Sequence, residues 1–333
     1  MGPRLGPMAS TSEINALKTP LEWALGRNIA AKLKTKVNAR FCVDMKKCYL
    51  VSTDHLEEGL WFRDEDDFIT GMNYVAIQAY LSKVTVLAFI LMSNHLHFVV
   101  FGRWEDVLSF INGIKARYSR YIMNKYGVKE FLRRNKVDIQ EVEDVPDAIR
   151  RVIAYVQMNS VAANICAFAN QYQWGTGDVF FNPATLAGKR VADCSKRELR
   201  RLLRSKEVEL PGDWIIGKDG YILPSCYVSI KYVEELYGNP SRMNYFLNSS
   251  SKARKTLERT EQMLPSFKDQ VIVAAMPDLY RSLFGKKTFG DLNSEEKSEC
   301  LRQVRYRFSA DVKQLARVTG ISYSEAADLL DKA

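Results

Sequence analysis

The sequence predicts an α+β fold, an antiparallel central sheet with helices packed on it, followed by a mostly helical C-terminal region with a helix-turn-helix-like end. Three observations carry this expectation. Val84 to Met92 (VTVLAFILM) and His95 to Phe101 (HLHFVVF) are apolar, β-branched runs separated only by Ser93-Asn94, which supply tight-turn chemistry. Segments with apolar residues at helical spacing lie on both sides of that hairpin. Near the C-terminus a helical pattern is interrupted by Thr319-Gly320-Ile321-Ser322 and then resumes.

Taken in order, Arg40 to Ser52 (RFCVDMKKCYLVS) reads as the first strand, and Asp64 to Leu81 as a helix whose acidic first turn suits the helix dipole. Beyond the hairpin, Val107, Ile111, Ile114, Tyr118 and Tyr121 form one stripe of a helix from Glu105 to Tyr126. Lys115, Arg117, Arg120 and Lys125 fall mostly off that stripe and make a basic outer face. A basic loop containing Arg133-Arg134-Asn135-Lys136 follows. Pro146 then precedes a second amphipathic helix, Asp147 to Asn159, with Ile149, Val152, Ile153 and Val156 on one face. Lys189 to Lys206 reads as a basic linker helix. Trp214-Ile215-Ile216 and Tyr221-Ile222-Leu223 flank Gly217-Lys218-Asp219-Gly220 as a hairpin, and a helix from Ile230 to Tyr237 stops at Gly238-Asn239-Pro240. In the final segment, Val312 to Leu330, Ala316 is small enough for close helix packing and Gly320 suits the turn. These boundaries divide the chain into an N-terminal extension (1–35), an α+β domain (36–185), a basic linker helix with a hairpin-helix accessory segment (186–250) and a helical C-terminal region (251–333).

Composition sets the outer limits. The chain has 333 residues, 47% of them hydrophobic, enough for a substantial core and against intrinsic disorder, a fibre or a small disulfide scaffold. Forty-eight Lys and Arg against 39 Asp and Glu leave a formal charge of +9, which favours a polyanionic partner through counterion release. The charge gathers in two places, at Arg133, Arg134 and Lys136, and along Lys189-Arg190, Lys196, Arg197, Arg200, Arg201, Arg204 and Lys206. These are the expected nucleic-acid contacts, although charge runs of this kind also serve as solvated faces. Six cysteines without a CxxC pair argue for reduced thiols rather than a zinc ribbon. Apolar runs too short to span a bilayer, with no signal pattern over Met1 to Leu17, predict a soluble cytoplasmic protein with no membrane partner.

His95-Leu96-His97 is the most informative triplet. On a strand, residues i and i+2 share a face, so both imidazoles point one way, while Leu96 packs into the opposite layer. Two of the three histidines of the chain placed so could meet one divalent ion; they could equally be half-buried residues with ordinary hydrogen bonds. His55 has no such companion and reads as a surface residue. Tyr155 and Asn159, four residues apart, stack on one side of their helix at the edge of its apolar face, where polar tips can reach a shallow site.

These residues resemble a known family. Phe89 to Val100 (FILMSNHLHFVV) is similar to the strand–turn–strand signature of the single-tyrosine HUH transposases, in which two histidines flank a hydrophobic residue. Ala154 to Val161 (AYVQMNSV) resembles the later helix of the REP-associated tyrosine transposases, whose usual form is Tyr-Ile-x-x-Asn-Pro-Val. Tyr118 to Gly127 (YSRYIMNKYG) is similar to that family's helix ending in Asn-x-x-Tyr-Gly, and Tyr172-Gln173-Trp174 stands where the family often has Tyr-x-Trp. The resemblance covers roughly Arg40 to Phe181.

It implies an HUH, ferredoxin-like palm over 36–185 and a metal-dependent single-strand DNA endonuclease and strand transferase, acting at hairpin-forming elements. Tyr155 would be the nucleophile, giving a 5′-phosphotyrosine, and His95, His97 and Asn159 would hold Mg²⁺ or Mn²⁺. The partner would be single-stranded or hairpin DNA, the enzyme a monomer or homodimer, and the setting prokaryotic and nucleoid-associated. Tyrosine with a pKa near 10 is a poor nucleophile at neutral pH, which is why such chemistry needs an ion to polarise the phosphate.

The sequence departs from the family pattern in two places: Ser160 replaces the usual proline, and the aromatic-Gln-Arg run expected after Arg133 is missing. Tyr118 and Tyr121 are nucleophiles by residue type, but both lie on an apolar stripe and read as packing residues. The last helix carries Ser322, Tyr323, Ser324, Glu325 and Asp328, an acidic face poorly matched to phosphate. Two alternatives accompany the transposase expectation. One is a non-catalytic, domesticated protein that binds structured DNA or RNA as a regulator. The other is a hydrolytic metalloenzyme, disfavoured because no Asp or Glu lies beside the histidines in sequence.

Overall fold

Two adjacent apolar runs joined by two residues have one low-energy arrangement, a hairpin, and the rest of the sheet assembles on it. Strands β1 (Lys47–Thr53), β2 (Thr85–Met92), β3 (His95–Gly102) and β4 (Val137–Val142) form one sheet in the order β2-β3-β1-β4, with every neighbouring pair antiparallel. The computed structural model describes residues 45–53, 59–182, 187–207, 209–250 and 266–331. The predicted N-terminal extension and His55 lie outside the described residues.

Helix α1 (Glu65–Ser82) joins β1 to β2, and α2 (Trp104–Tyr126) joins β3 to β4, so the order is β1-α1-β2-β3-α2-β4. Both helices cover one face of the sheet, where Phe98 of β3 meets Phe110 of α2 edge to face at 5.1 Å. Helix α3 (Pro146–Gln157) packs on β2 and β3 from the other face, the one that carries His97. Coverage on both sides explains why β2 and β3 read as nearly unbroken apolar runs instead of alternating ones. The outer edge of β2 is closed by the segment after Tyr172: Leu91 N donates to Trp174 O and Thr176 N to Phe89 O. Gly175 is required there, since a Cβ at that position would meet the Phe89 carbonyl at 2.6 Å.

Strand β4 is absent from the sequence expectation, which assigns that stretch to a basic loop. Its pattern, Val137-Asp138-Ile139-Gln140-Glu141-Val142, belongs to an edge strand with one solvated face and too few apolar residues to stand out. Strand β1 begins at Lys47 and ends at Thr53, and residues 40–44 of the expected strand lie outside the described residues. The linker helix is also shorter: Gly188–Arg190 forms β5, paired with β6 (Ile215–Gly217), and helix α5 runs only over Lys196–Leu203. Ser195 explains where α5 begins, because its side chain caps the helix by accepting from Glu198 N. Trp214-Ile215-Ile216 and the segment after Gly220 pair as expected, with Gly217 N donating to Tyr221 O. Helix α4 is the single turn Asn159–Ala162, α6 spans Ile230–Tyr237 and α7 Pro240–Ser249. The five cysteines among the described residues are free thiols, and no described helix is long and apolar enough to cross a membrane.

The C-terminal helices α8 (Asp269–Phe284), α9 (Ser294–Phe308), α10 (Val312–Thr319) and α11 (Tyr323–Asp331) enclose a second core around Ile272, Leu301, Val304, Leu315 and Leu329. Gly320 ends α10 in the left-handed region at φ 74°, and Ala316 is buried in the helix contact, as the sequence predicts.

A charged cluster ties α1 to α2 and to Arg204 just past α5. At the N-terminus of α1 the fully buried Asp67 accepts from Lys125 Nζ at 2.7 Å and from the Tyr121 and Tyr126 hydroxyls at 2.9 Å. Burial opposes the charge on Lys125, but hydrogen bonds to Asp64 and Asp67 hold its pKa well above the ordinary lysine value. Partial burial likewise works to raise the carboxyl pKa values of Asp64 and Asp66. Hydrogen bonds from Lys125 and Arg204 outweigh it and hold both below 3.8. Their contribution to stability is therefore complete above that pH and is lost as pH falls through the lowered folded-state values. Urea midpoints measured from about pH 5 down to about pH 2 should fall, and the fall should be shallower in Asp66→Asn. Asp67→Ala should destabilise by about 3 kcal/mol at neutral pH in the same assay, since it removes the buried carboxylate that accepts from Lys125, both tyrosine hydroxyls and Arg63 N, and leaves the hydroxyls only their longer contacts to Asp66 and Asp64.

Candidate active site

Strand alternation turns His95, His97, Val99 and Phe101 to one face of β3 and Leu96, Phe98 and Val100 to the other. The two imidazoles are buried, with ring centroids 4.8 Å apart and planes at 89°. Each is oriented through Nδ1. His95 Nδ1 lies 2.8 Å from Asn94 Oδ1, and His97 Nδ1 lies 2.7 Å from Ser52 Oγ. Asn94 Oδ1 can only accept, which favours the His95 tautomer whose Nε2 carries the lone pair, whereas the Ser52 hydroxyl can serve either tautomer of His97. Ser52 owes its place to the register, in which it stands directly opposite His97 on β1.

Tyr155 approaches from α3, its ring centroid 5.8 Å from that of His97 and nearly perpendicular to it. It is half-buried, and desolvation raises its phenol above the usual tyrosine value, so the hydroxyl is neutral at pH 7. Asn159 is not the fourth residue along a continuous helix, as the sequence expectation has it. Helix α3 ends at Gln157, and Asn159 opens the single turn α4. Its Nδ2 folds back to donate to the carbonyls of Tyr155 and Val156 at 2.9 and 3.1 Å, satisfying two groups at a helix end. That leaves Oδ1 as the end of the amide not committed to the helix.

The expected donor set would be two imidazoles and one amide oxygen, all neutral. Among the described residues no three His, Cys, Asp or Glu side chains gather at ion-holding distance. Neutral ligands would leave the charge of a divalent ion uncompensated and available to an anionic substrate.

His97 and Tyr155 open onto a cleft of 1170 Å³, larger than the roughly 300–1,000 Å³ of small-molecule pockets. Leu50, Ser52, Thr53, Asn94, His97 and Tyr155 line it from the sheet and α3; Asp138 and Gln140 line it from β4. His95 does not line it, being set behind His97. The sequence reading finds no carboxylate near the histidines, but the fold supplies one. Ser52 pairs with both His97 and Asp138, so His97, Ser52 and Asp138 form one row across three strands on one face. The unrecognised strand β4 is what hides this relation in the sequence. The carbonyl of the adjacent Ser93 accepts from Trp61 N and Phe62 N, which holds the β2–β3 turn without either turn residue taking a positive φ.

The basic residues expected to contact nucleic acid stand elsewhere. Arg133, Arg134 and Lys136 are exposed on the loop between α2 and β4, and none of them lines the cleft. Lys196, Arg197, Arg200 and Arg201 are exposed on α5, which packs against α1 on the face away from the imidazoles. Arg204, just past α5, is committed to Asp66 and to the Tyr121 hydroxyl at 2.9 Å. Tyr118 and Tyr121 are packing residues. The first donates to Trp61 O at 2.6 Å; the second donates to Asp67 at 2.9 Å, and burial pushes its phenol up to about 12. Tyr172 and Trp174 brace β2.

Comparison with protein-family models, with curated proteins and with solved structures finds no match to this chain.

Removing Ser52 Oγ tests whether the site is organised for an ion. Ser52→Ala should weaken Mn²⁺ binding by about 10- to 100-fold in isothermal titration calorimetry, and His97→Ala should remove it. Equal affinity in wild type and both variants would show that the imidazoles are not ligands.

Proposed function

We propose that the protein is a metal-dependent single-strand DNA endonuclease and strand transferase, a REP-associated transposase of the HUH class, working through Tyr155. The observation that carries the reading is the approach of Tyr155 to His97 on the face shared by both imidazoles, in one open cleft. Further support comes from the order β1-α1-β2-β3-α2-β4 with strand order β2-β3-β1-β4, the split βαβ, ferredoxin-like arrangement expected of an HUH palm.

His95, His97 and Asn159 would hold the ion, which when bound supplies Lewis-acid polarisation of the scissile phosphate. The Tyr155 oxygen attacks phosphorus and gives up its proton. A bond from that oxygen to phosphorus forms as the bond from phosphorus to the 3′ oxygen breaks, and the departing 3′ oxygen takes up a proton. One phosphodiester is exchanged for another, so a 3′-hydroxyl can reverse the step and join DNA without a nucleotide cofactor. Arg133, Arg134, Lys136 and the α5 residues Lys196, Arg197, Arg200 and Arg201 would bind phosphates of a folded hairpin at a distance from the reacting strand.

Asp138 favours a second reading, a metal-dependent hydrolase in which this carboxylate serves as base toward an attacking water. The two differ in product. With Mn²⁺ or Mg²⁺ and a hairpin oligonucleotide carrying single-stranded flanks, the transferase should give an SDS-stable adduct mapping to Tyr155 by mass spectrometry. Tyr155→Phe should abolish the adduct and leave hairpin binding within a few-fold. Cleavage that survives in Tyr155→Phe with no adduct would transfer the assignment to the hydrolase.

A further inference from the structure

The cleft that holds Tyr155 and His97 has a second wall, and it comes from the C-terminal helices: Lys313, Ala316 and Arg317 of α10 and Tyr323 of α11. The sequence reading treats this segment as a helix-turn-helix whose second helix would have to meet DNA with an acidic face. In the fold the acidic Glu325 and Asp328 do not line the cleft; an exposed lysine, an arginine and a 53%-exposed tyrosine do. The wall is fixed in position. Asp269, fully buried at the start of α8, accepts from Arg317 Nε and Nη2 at 3.1 and 3.3 Å and from Gln314 Nε2 at 2.7 Å, and it bonds Ser93 in the turn that leads to His95. Gln270 Nε2 donates to Phe62 O at 2.9 Å on the sheet side.

From this juxtaposition we infer that the C-terminal helix-turn-helix is a clamp for single-stranded DNA, with Tyr323 as a platform on which a base stacks and Lys313 as a phosphate contact. The function rests on the proposed chemistry of Tyr155 only in its choice of substrate. An aromatic face beside cations is the recurrent means of holding single strands without sequence readout, because every base has a π-face and every linkage a phosphate. A duplex-reading motif would instead present its second helix outward to a major groove. Arg317 is a positioning residue, since its Nε and Nη2 are spent on Asp269.

Fluorescence anisotropy in EDTA, with every variant built on Tyr155→Phe, separates binding from catalysis. The probes are one DNA hairpin with single-stranded flanks and the same stem without them. Tyr323→Ala should weaken the flanked probe about tenfold, Tyr323→Phe should bind within twofold of the parent, and the stem alone should be unaffected. Lys313→Glu should weaken the flanked probe and lower the slope of log affinity against log salt by about one. Unchanged flanked-probe affinity in Tyr323→Ala, or equal losses on flanked and bare stems, overturns the clamp. So does tighter binding of the corresponding RNA probe. If wild-type protein forms no adduct with metal while Tyr323→Ala still loses flanked-probe affinity, the Tyr155 chemistry fails and the clamp stands.

Discussion

The burial of β3 on both faces is the constraint from which the site follows. A strand covered by α1 and α2 on one side and by α3 on the other offers no solvent to a polar side chain, so any polar residue placed there must be hydrogen-bonded or repay its desolvation in function. His95 and His97 meet that demand through Asn94 and Ser52 at Nδ1, and their shared face is fixed by the two-residue period of the strand. Shifting the register by one residue would turn both imidazoles into the α1–α2 layer and Leu96 toward Tyr155. The same apolar packing that stabilises the hairpin thus aims the imidazoles and keeps the aim narrow.

A second constraint acts through one carboxylate. Asp269 is buried, and its charge is balanced by Arg317 and supported by Gln314 and Ser93, three groups from two different parts of the fold. A buried carboxylate with one partner removed is strongly destabilised, so the β2–β3 turn and α10 are held to a common point. The position of Lys313 and Tyr323 relative to Tyr155 is therefore set by the interior of the protein, through a contact two residues from His95. An arrangement of this kind couples the geometry of the proposed metal ligands to that of the proposed strand clamp.

Much of this was legible in the sequence, and the limits have physical reasons. The hairpin, α1, α2 and α3 follow from strong local patterns, and so does the shared face of His95 and His97. Strand β4 was not legible because an edge strand needs few apolar residues; with it went the row His97, Ser52, Asp138, which exists only through register. The two-residue shortfall of α3 was equally hidden: whether a helix ends at Gln157 or runs on to Asn159 is decided by the amide of Asn159 folding back onto carbonyls. The contribution of Lys313 and Tyr323 to the cleft rests on the long-range Asp269 contacts, which no local pattern encodes.

Charge counting alone points to the face of the sheet opposite His97. Arg204 shows what such counting misses. It belongs to the densest basic run of the chain, yet its guanidinium is engaged by Asp66 and lies over the Tyr121 ring at 5.0 Å, where it closes a structural cluster. The cleft itself carries few cations, and with Asp138 on one wall it has no strong net charge with which to attract a polyanion. Affinity from phosphates and position from stacking are then separate tasks. In the proposed reaction the exposed cations of α5 and of the Arg133 loop bring a folded hairpin to the protein from one side. The reacting strand is seated on the other, between Tyr155 and Tyr323, by stacking together with the Lys313 contact to phosphate. On that division, raising salt would release the hairpin long before it disturbed the alignment of the strand with Tyr155.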